Sequence, residues 1–459
     1  MPVTNEQLLE SMDESAITGS HVRKWFLLAF GHLFDNFTTT NITAILPILI
    51  PAFALSPPLV GTLISSVGLG GLVGAILAGP VSDMIGRKKT YLLATVLYGA
   101  TDMITGTVVN SFGFFYSMRL IEGFATGFEV PIMAVYFAEI LPRRRRGWFT
   151  AFAIAFGNSA SLISPYIVEF TRASIAWRGV FVVPGLLGLL LIPFIVFFLP
   201  ESVRYTLKKG DTAAAEKFVR SISTLDPGTL QGKHQPMEQK APLSSILKGG
   251  YLRPTLALWA IMGLLTMGTA AIGGFTGAIY VTYSHLLTPQ NFLPYIALTG
   301  LGITLAPLLG GPLMELLGRR RALYSTFFLG AICFLLQGYG YQIRSVEMVV
   351  TFTTLGAFFL SSNVPVVYAI SAELYPTHIR NTAASISNIF LRGGIAFGPL
   401  LYGFFIAKNY ISIIYMIGIL ELIAVVIAVV AMHETKGQSL EQITADLAPG
   451  SGIVEQTSG

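Results

Sequence analysis

Three short motifs occur twice in this chain, in the same order and at nearly the same spacing. Gly-Pro-Val-Ser-Asp-Met-Ile-Gly-Arg-Lys begins at Gly79, and Gly-Pro-Leu-Met-Glu-Leu-Leu-Gly-Arg-Arg begins at Gly311, 232 positions later. Ala-Glu-Ile-Leu-Pro from Ala138 returns as Ala-Glu-Leu-Tyr-Pro from Ala372 after 234 positions, and Pro-Glu-Ser returns as His-Glu-Thr after 233 positions. This agreement predicts a duplicated chain whose two halves adopt the same fold.

The composition predicts that both halves lie in a membrane. Hydrophobic residues make up 53% of the chain and charged residues only 12%, whereas a soluble domain carries about 25% charged residues. Apolar runs of about 20 residues are long enough to cross a bilayer. Such runs lie at 25–50, 58–80, 90–110, 112–138, 148–171, 179–199, 254–284, 292–315, 322–341, 346–371, 381–406 and 410–432. The sequence therefore predicts an all-α membrane protein with twelve transmembrane helices in two six-helix halves.

The positions of the basic residues predict the orientation. The clusters 87–89, 143–146 and 319–321 fall on the side of the N-terminus, and basic loops remain in the cytoplasm. Both termini should therefore be cytoplasmic, and the net charge of +5 indicates topology rather than nucleic-acid binding. The predicted segments are a cytoplasmic N-terminal tail, a six-helix bundle, a cytoplasmic linker, a second six-helix bundle and a C-terminal tail, in chain order 1–22, 23–199, 200–252, 253–432 and 433–459.

The sequence offers no pattern for an enzyme, a metal site or a bound cofactor. The lone Cys333 lies in an apolar run, and the six His residues are scattered without metal-ligand spacing. No nucleophile–base pattern is found either. We therefore expect a non-enzymatic protein in the cell membrane, functional as a monomer, with lipid and small solutes as its partners. The compact loops favour a bacterial inner membrane.

The repeated motifs resemble those of the major facilitator superfamily. The motif at Gly79 has its Gly-x-x-x-Asp-x-x-Gly-Arg-Lys form, and Ile-Glu-Gly-Phe-Ala-Thr-Gly at 121–127 follows the sugar-transporter signature. The resemblance covers nearly the whole chain and implies alternating access. It also implies a conformational latch between helices, although the basic residues could instead only enforce the topology. The latch residues would be Asp83, Arg87, Glu139, Arg146, Glu315, Arg319, Glu373 and Arg380.

Ionisable residues deep inside apolar runs are candidates for function because a charge in hydrocarbon is costly. At about 1.5 Å rise per residue, Asp35 and Arg119 both lie about 16–17 Å from the cytoplasmic boundary. In proton-coupled sugar porters, an acid on the first helix pairs with an Arg on the fourth, and the resemblance implies this pair here. Two alternatives remain open: a static ion pair, or pairing of Arg119 with Glu122, one turn away.

A second group of residues is predicted to bind the substrate. Arg392 lies about 18 Å above the inner face, and its repeat mate is Asn158, 234 positions earlier. A guanidinium grips a carboxylate in bidentate fashion, so an organic anion would suit this site. Alternatively, Arg392 pairs with Glu129, which could also line the inner gate or brace helices. The seventh run has Thr groups such as Thr266 but no Gln or Asn for reading sugar hydroxyls.

These features resemble a branch of the superfamily that carries nicotinate, aromatic acids and other small carboxylates. The elements that carry this resemblance are Gly-Phe-Glu-Val-Pro at 127–131 and Arg-Gly-Gly-Ile-Ala-Phe-Gly-Pro at 392–399. The sequence thus predicts a proton symporter that imports a small organic monocarboxylate, for example nicotinate- or benzoate-like. The alternatives are a sugar or polyol proton symporter and a transport-inactive membrane sensor on the same fold.

Overall fold

A computed structural model describes residues 3–142, 145–230, 247, 249–375, 377–406 and 408–437, and this part of the chain contains helices and no strand. The helices are α1 (Asn5–Glu14), α2 (Gly19–Ala52), α3 (Pro57–Ile85), α4 (Arg87–Thr107), α5 (Phe112–Ile140), α6 (Arg146–Asn158), α7 (Ala160–Thr171), α8 (Gly179–Phe198), α9 (Val203–Lys208), α10 (Thr212–Ile222), α11 (Leu252–Ala278), α12 (Leu293–Leu317), α13 (Arg319–Gln342), α14 (Val346–Glu373), α15 (Thr377–Ile406) and α16 (Tyr410–Ala431).

The predicted all-α membrane fold is confirmed. Eleven helical segments in the described residues are long and apolar enough to span a membrane. Helices α6 and α7 together form one such segment, separated only by a turn at Ser159. Helix α4 is 21 residues long but begins with three basic residues and carries Asp102, which lowers its hydropathy. It packs between α5 and α8, so it completes the first six-helix half.

The repeated glycine motif forms the same sharp turn in both halves. Gly86 joins α3 to α4 with φ of +98°, and Gly318 joins α12 to α13 with φ of +93°. A side chain is strained in this region of φ, whereas glycine is not. The Gly-Arg pair of the motif therefore ends one helix and begins the next within a single residue.

The N-terminal segment and the linker contain helices that pack on each other. Leu8 and Met12 of α1 are buried against Val219 and Ile222 of α10. The hydroxyl groups of Ser11 and Ser223 lie 2.7 Å apart, and the side chain of Gln7 donates to the carbonyl oxygen of Leu230 at 2.6 Å. Both apolar burial and hydrogen bonds thus fix α1 on the linker.

The two halves contact each other towards the end of the bundle that lies away from the termini. Helix α3 packs on α15, α2 packs on α11, and α12 packs on α6 and α7. A Cβ atom at Gly61 would lie 2.5 Å from the carbonyl oxygen of Pro399, and one at Gly277 would overlap the carbonyl oxygen of Thr43. The close approach of backbones at these glycines closes the bundle at that end.

Candidate transport site

One face of α5 carries a row of polar side chains into the interior of the first half. Arg119, Glu122, Thr126 and Glu129 are separated by three, four and three residues, so they lie along one side of the helix. All four are almost fully buried. Such a row needs polar partners on neighbouring helices because buried charges are costly when unpaired.

The lower part of this row meets two residues of α2. Glu129 Oε2 lies 3.3 Å from Nδ1 of His32. One nitrogen or oxygen atom from each of His32, Asp35 and Glu129 lies within 4.8 Å of the others, and all three residues are buried. Within the part of the chain that the structure describes, Asp35 Oδ1 and Glu129 Oε1 are buried without a hydrogen-bond partner. The three side chains form one compact group, which we call the central cluster.

The sequence predicted no role for His32 and several alternative roles for Glu129. The available signal was that His32 lies one turn before Asp35 on the same helix, so both side chains occupy the same side of α2. Nothing in the sequence indicates that α5 presents Glu129 at the same depth and in the same direction. Only the packing of the two helices brings these groups together.

Arg119 pairs with a residue of its own helix. Its Nη1 lies 2.7 Å from Oε2 of Glu122, three positions later, and Nη2 donates to the carbonyl oxygen of Thr38 on α2. Among the described residues there is no ion pair between Arg119 and Asp35, so the structure adopts the alternative in which Glu122 is the partner. Asp102 of α4 lies beside Glu122, so a second buried carboxyl group adjoins the Arg119–Glu122 pair.

Arg392 of α15 reaches across to the first half at the level of the central cluster. Its Nη2 lies 3.1 Å from the carbonyl oxygen of Thr126, and its Nη1 lies 3.5 Å from the hydroxyl of the same residue. The side chain is buried, and its Nε has no partner. The described residues form no ion pair between Arg392 and Glu129. The guanidinium is thus held by neutral groups on α5.

The other two predicted substrate residues lie at contacts between helices. Asn158 ends α6, and its Nδ2 lies 3.4 Å from the carbonyl oxygen of Ile303 on α12. The hydroxyl of Thr266 lies 2.7 Å from the carbonyl oxygen of Leu391, so it ties α11 to α15 one residue before Arg392. Asn158 therefore lies between the halves, and Thr266 supports the backbone that carries Arg392.

The predicted latch of the first half combines an ion pair with a capped helix. Arg87 Nη2 lies 3.0 Å from Oδ1 of Asp83, which is 54% exposed. Glu201 accepts from the backbone amides of Arg87 and Lys88 at 2.8 and 3.1 Å. A carboxylate at a helix N-terminus satisfies free amides and is favoured by the helix dipole. Glu139 accepts from the hydroxyl of Ser202.

The second half repeats this arrangement with a stronger ion pair. Arg319 binds both carboxylate oxygens of Glu373, at 2.8 and 3.0 Å, and lies 3.2 Å from Glu315. Glu434 accepts from the backbone amide of Arg319 at 2.9 Å. Thr435 donates to Glu373 at 2.5 Å, as Ser202 does to Glu139. The side chains of the other two predicted latch residues, Arg146 and Arg380, lie outside the described residues.

The two helix-capping acids are part of the third repeated motif, to which the sequence analysis gave no role. Glu201 and Glu434 are 233 positions apart and make equivalent contacts at the start of α4 and α13. The repeat spacing itself was the signal that could have paired each acid with its Gly-Arg turn. Each cap therefore joins the segment that follows the last helix of a half to the Gly-Arg turn of the same half.

Comparison with known proteins settles the family. The family model described as "Sugar (and other) transporter" matches residues 21–447. The chain belongs to this family of the major facilitator superfamily. It is 24% identical over 444 residues to the niacin transporter NiaP of Acinetobacter baylyi, an alignment that covers 95% of this chain and 99% of the relative. It is 27% identical to the gallate transporter of Pseudomonas putida, with 83% and 85% of the two chains covered.

The fold of the transporter also matches solved structures. The xylose transporter XylE from E. coli, in a partially occluded inward-open conformation, superposes with a TM-score of 0.74 at 17% identity, covering 92% of this chain and all of XylE. The transporter is therefore a multi-pass membrane protein and not an enzyme.

Proposed function

We propose that this transporter imports a small organic monocarboxylate together with protons by alternating access. The proposal rests on the burial and the hydrogen-bond partners of Arg392. Its guanidinium is buried where the two halves meet, and its nearest hydrogen-bond partners are the neutral groups of Thr126. A buried guanidinium whose hydrogen bonds within the described residues go only to neutral groups favours an anionic ligand, and a guanidinium suits the two oxygens of a carboxylate.

The residues around Arg392 support an acid rather than a sugar. Sugars need many paired hydrogen-bonding groups in a pocket, but α11 has neither Gln nor Asn. The hydroxyl of Thr266 is already directed at the backbone of α11 and α15. The names of two relatives, a niacin transporter and a gallate transporter, denote aromatic carboxylic acids, which supports the same substrate class. Asn158 would complete the site from the first half.

Proton coupling is supported by the central cluster. Asp35 has a buried oxygen without a partner, and it is close to a second carboxylate, that of Glu129. Two buried carboxylates that lie close together bind protons readily, because each proton removes a costly negative charge. Asp35 is therefore the proposed proton acceptor, and the Arg119–Glu122 pair stabilises the helix beside it.

The packing of the halves supports alternating access. They are closed at the end away from the termini, where Gly61 and Gly277 let the backbones approach. With both termini cytoplasmic, as the positive-inside rule predicts, this is the inward-facing state. The latch residues at the opposite end would then bias the equilibrium between this state and the outward-facing one.

A proton symporter for sugars is the second candidate, and the match to the family model described as "Sugar (and other) transporter" favours it. The deciding experiment is uptake into proteoliposomes with an inward proton gradient, using labelled nicotinate, benzoate, a short aliphatic monocarboxylate and glucose. Gradient-driven accumulation of a carboxylate but not glucose would support the proposal. Accumulation of glucose would favour the sugar candidate. Binding without uptake of any compound would favour a membrane sensor and overturn the proposal.

A further inference from the structure

We propose that His32 and Glu129 bind a second coupling proton beside Asp35, so that two protons accompany each substrate anion. This inference rests on the proposed function and adds the coupling number to it. Its basis is the geometry of the central cluster together with the charge that the site must hold when the substrate is bound.

The cluster is enclosed by few ionisable groups. His32 and Asp35 face it from α2, Glu129 and Glu122 from α5, and Arg392 from α15. The phenol groups of Tyr91 and Tyr98 on α4 also lie near Glu129, but a phenol is neutral at ordinary pH. Glu122 is paired with Arg119. The charge balance of the cluster is therefore set by Asp35, Glu129, His32 and Arg392.

A bound monocarboxylate makes this balance unfavourable unless two protons are present. Ionised Asp35 and Glu129 carry two negative charges, and Arg392 carries one positive charge. A substrate carboxylate on Arg392 adds a third negative charge and leaves a net of minus two. One proton leaves one buried negative charge uncompensated, which costs several kcal/mol in a poorly hydrated site. Two protons make the loaded site neutral.

His32 and Glu129 are placed to take the second proton. Nδ1 and Oε2 are 3.3 Å apart, so a proton on the imidazole can be shared with the carboxylate in one hydrogen bond. Arg392 repels a cationic His32, and this repulsion falls when a substrate carboxylate neutralises the guanidinium. Binding of the anion and of the second proton should therefore favour each other. Thr126, which contacts Arg392, lies one turn from Glu129 on α5.

The response of uptake to the membrane potential distinguishes one coupling proton per substrate from two. One proton with one monoanion moves no net charge, whereas two protons move one positive charge. The full-length transporter is placed in proteoliposomes at a fixed inward pH gradient, with chelator present to remove divalent metal ions. Potassium and valinomycin set the potential. We expect an inside-negative potential of about 60 mV to raise the accumulation of labelled nicotinate or benzoate about tenfold.

Variants locate the second proton within the cluster. Glu129→Gln should remove the dependence on potential while uptake driven by the pH gradient remains, because it removes one negative charge together with its proton. The exposed His285 gives a matched control, because Asn tolerates its φ of +49°, and His285→Asn should keep the full tenfold effect. Wild-type accumulation that does not depend on the potential would overturn the proposal, as would a full effect in Glu129→Gln.

A measurement without substrate separates this proposal from the proposed function. If neither acid is taken up, the proposed function fails, and the state of His32 is read by ¹⁵N NMR of histidine-labelled protein, with His32→Asn for assignment. We expect both imidazole nitrogens of His32 to be protonated at pH 6 in the wild type and only one in Glu129→Gln. A single protonated nitrogen in both proteins would overturn the second proton site.

Discussion

Glu129 of α5 lies against His32 of α2, with 3.3 Å between Oε2 and Nδ1, although 97 positions separate them in the chain. This contact brings a carboxylate oxygen of Glu129 within 4.8 Å of one of Asp35. Arg119 is occupied by Glu122. The acid of the first transmembrane helix therefore belongs to a group of acids and an imidazole, and its protonation changes the charge of the whole group.

Replacing Asp35 by Asn should weaken the coupling of transport to the pH gradient. The variant keeps the size of the side chain but cannot bind a proton, so one of the two coupling protons is lost and gradient-driven accumulation should fall about tenfold for each pH unit of the gradient. Exchange of substrate across the membrane needs no net proton movement and should continue. Counterflow and gradient-driven uptake of the same labelled acid, measured in proteoliposomes, check this. Glu216 of α10, whose side chain is 36% exposed, gives a control, Glu216→Gln, and unchanged accumulation in Asp35→Asn would assign both coupling protons to other groups.

Replacing Arg392 by Lys should raise the apparent KM for the acid by about tenfold or more. Lysine keeps the charge but loses the planar fork that holds a carboxylate at two points, and about 1.4 kcal/mol of lost binding corresponds to tenfold. Initial rates of uptake against substrate concentration measure the change. Arg253 at the start of α11, which donates to the carbonyl oxygen of Val430 on α16, provides the control Arg253→Lys. An unchanged KM in Arg392→Lys would exclude this residue as the anion site.

The fold could be predicted from the sequence because its determinants are local. Apolar runs of membrane length and a glycine motif repeated at 232 positions specify helices, turns and duplication without knowledge of contacts. Helix α4 illustrates the limit of composition, since its basic N-terminus and Asp102 lower its hydropathy. Its place is fixed by packing against α5 and α8.

The depth of each site residue in the membrane could be predicted from the sequence, but its contact partner could not be decided. Counting residues along each helix gave the level of Asp35 and Arg392, because the rise per residue is constant. The partner of each group depends on how neighbouring helices are rotated about their axes. The sequence left both Asp35 and Glu122 open as partners of Arg119, and the structure pairs it with Glu122 of its own helix. His32 and Glu129, from separate helices, form a contact that no spacing in the sequence indicates.

Glu201→Ala and Glu434→Ala should lower the stability of the transporter by similar amounts. Each carboxylate accepts from two successive backbone amides, those of Arg87 and Lys88 in one half and those of Arg319 and Arg320 in the other. Loss of such a cap costs about 1–2 kcal/mol. Thermal unfolding of the purified protein in detergent should show similar downward shifts, and Glu216→Ala on α10, which removes one surface ion pair with Arg220, should show almost none. A large shift in only one variant would contradict equivalent roles.

Glu373→Gln should shift the conformational equilibrium more than Asp83→Asn. The Arg319–Glu373 pair is bidentate and only partly exposed, whereas Asp83 makes a single contact and is 54% exposed. An exposed pair contributes little. If the pair favours the present state, its loss should reduce the population of that state about fivefold, against less than twofold for Asp83→Asn.

The rate at which a thiol reagent labels Asn388→Cys, one turn before Arg392 on α15, reports the population of that state. The native thiol is removed by Cys333→Ser. Slower labelling in Glu373→Gln, with little change in Asp83→Asn, would support a latch. Unchanged labelling together with a lower unfolding temperature would show instead that the Arg319–Glu373 pair only holds α13 to α14. The latch would then have no part in alternating access.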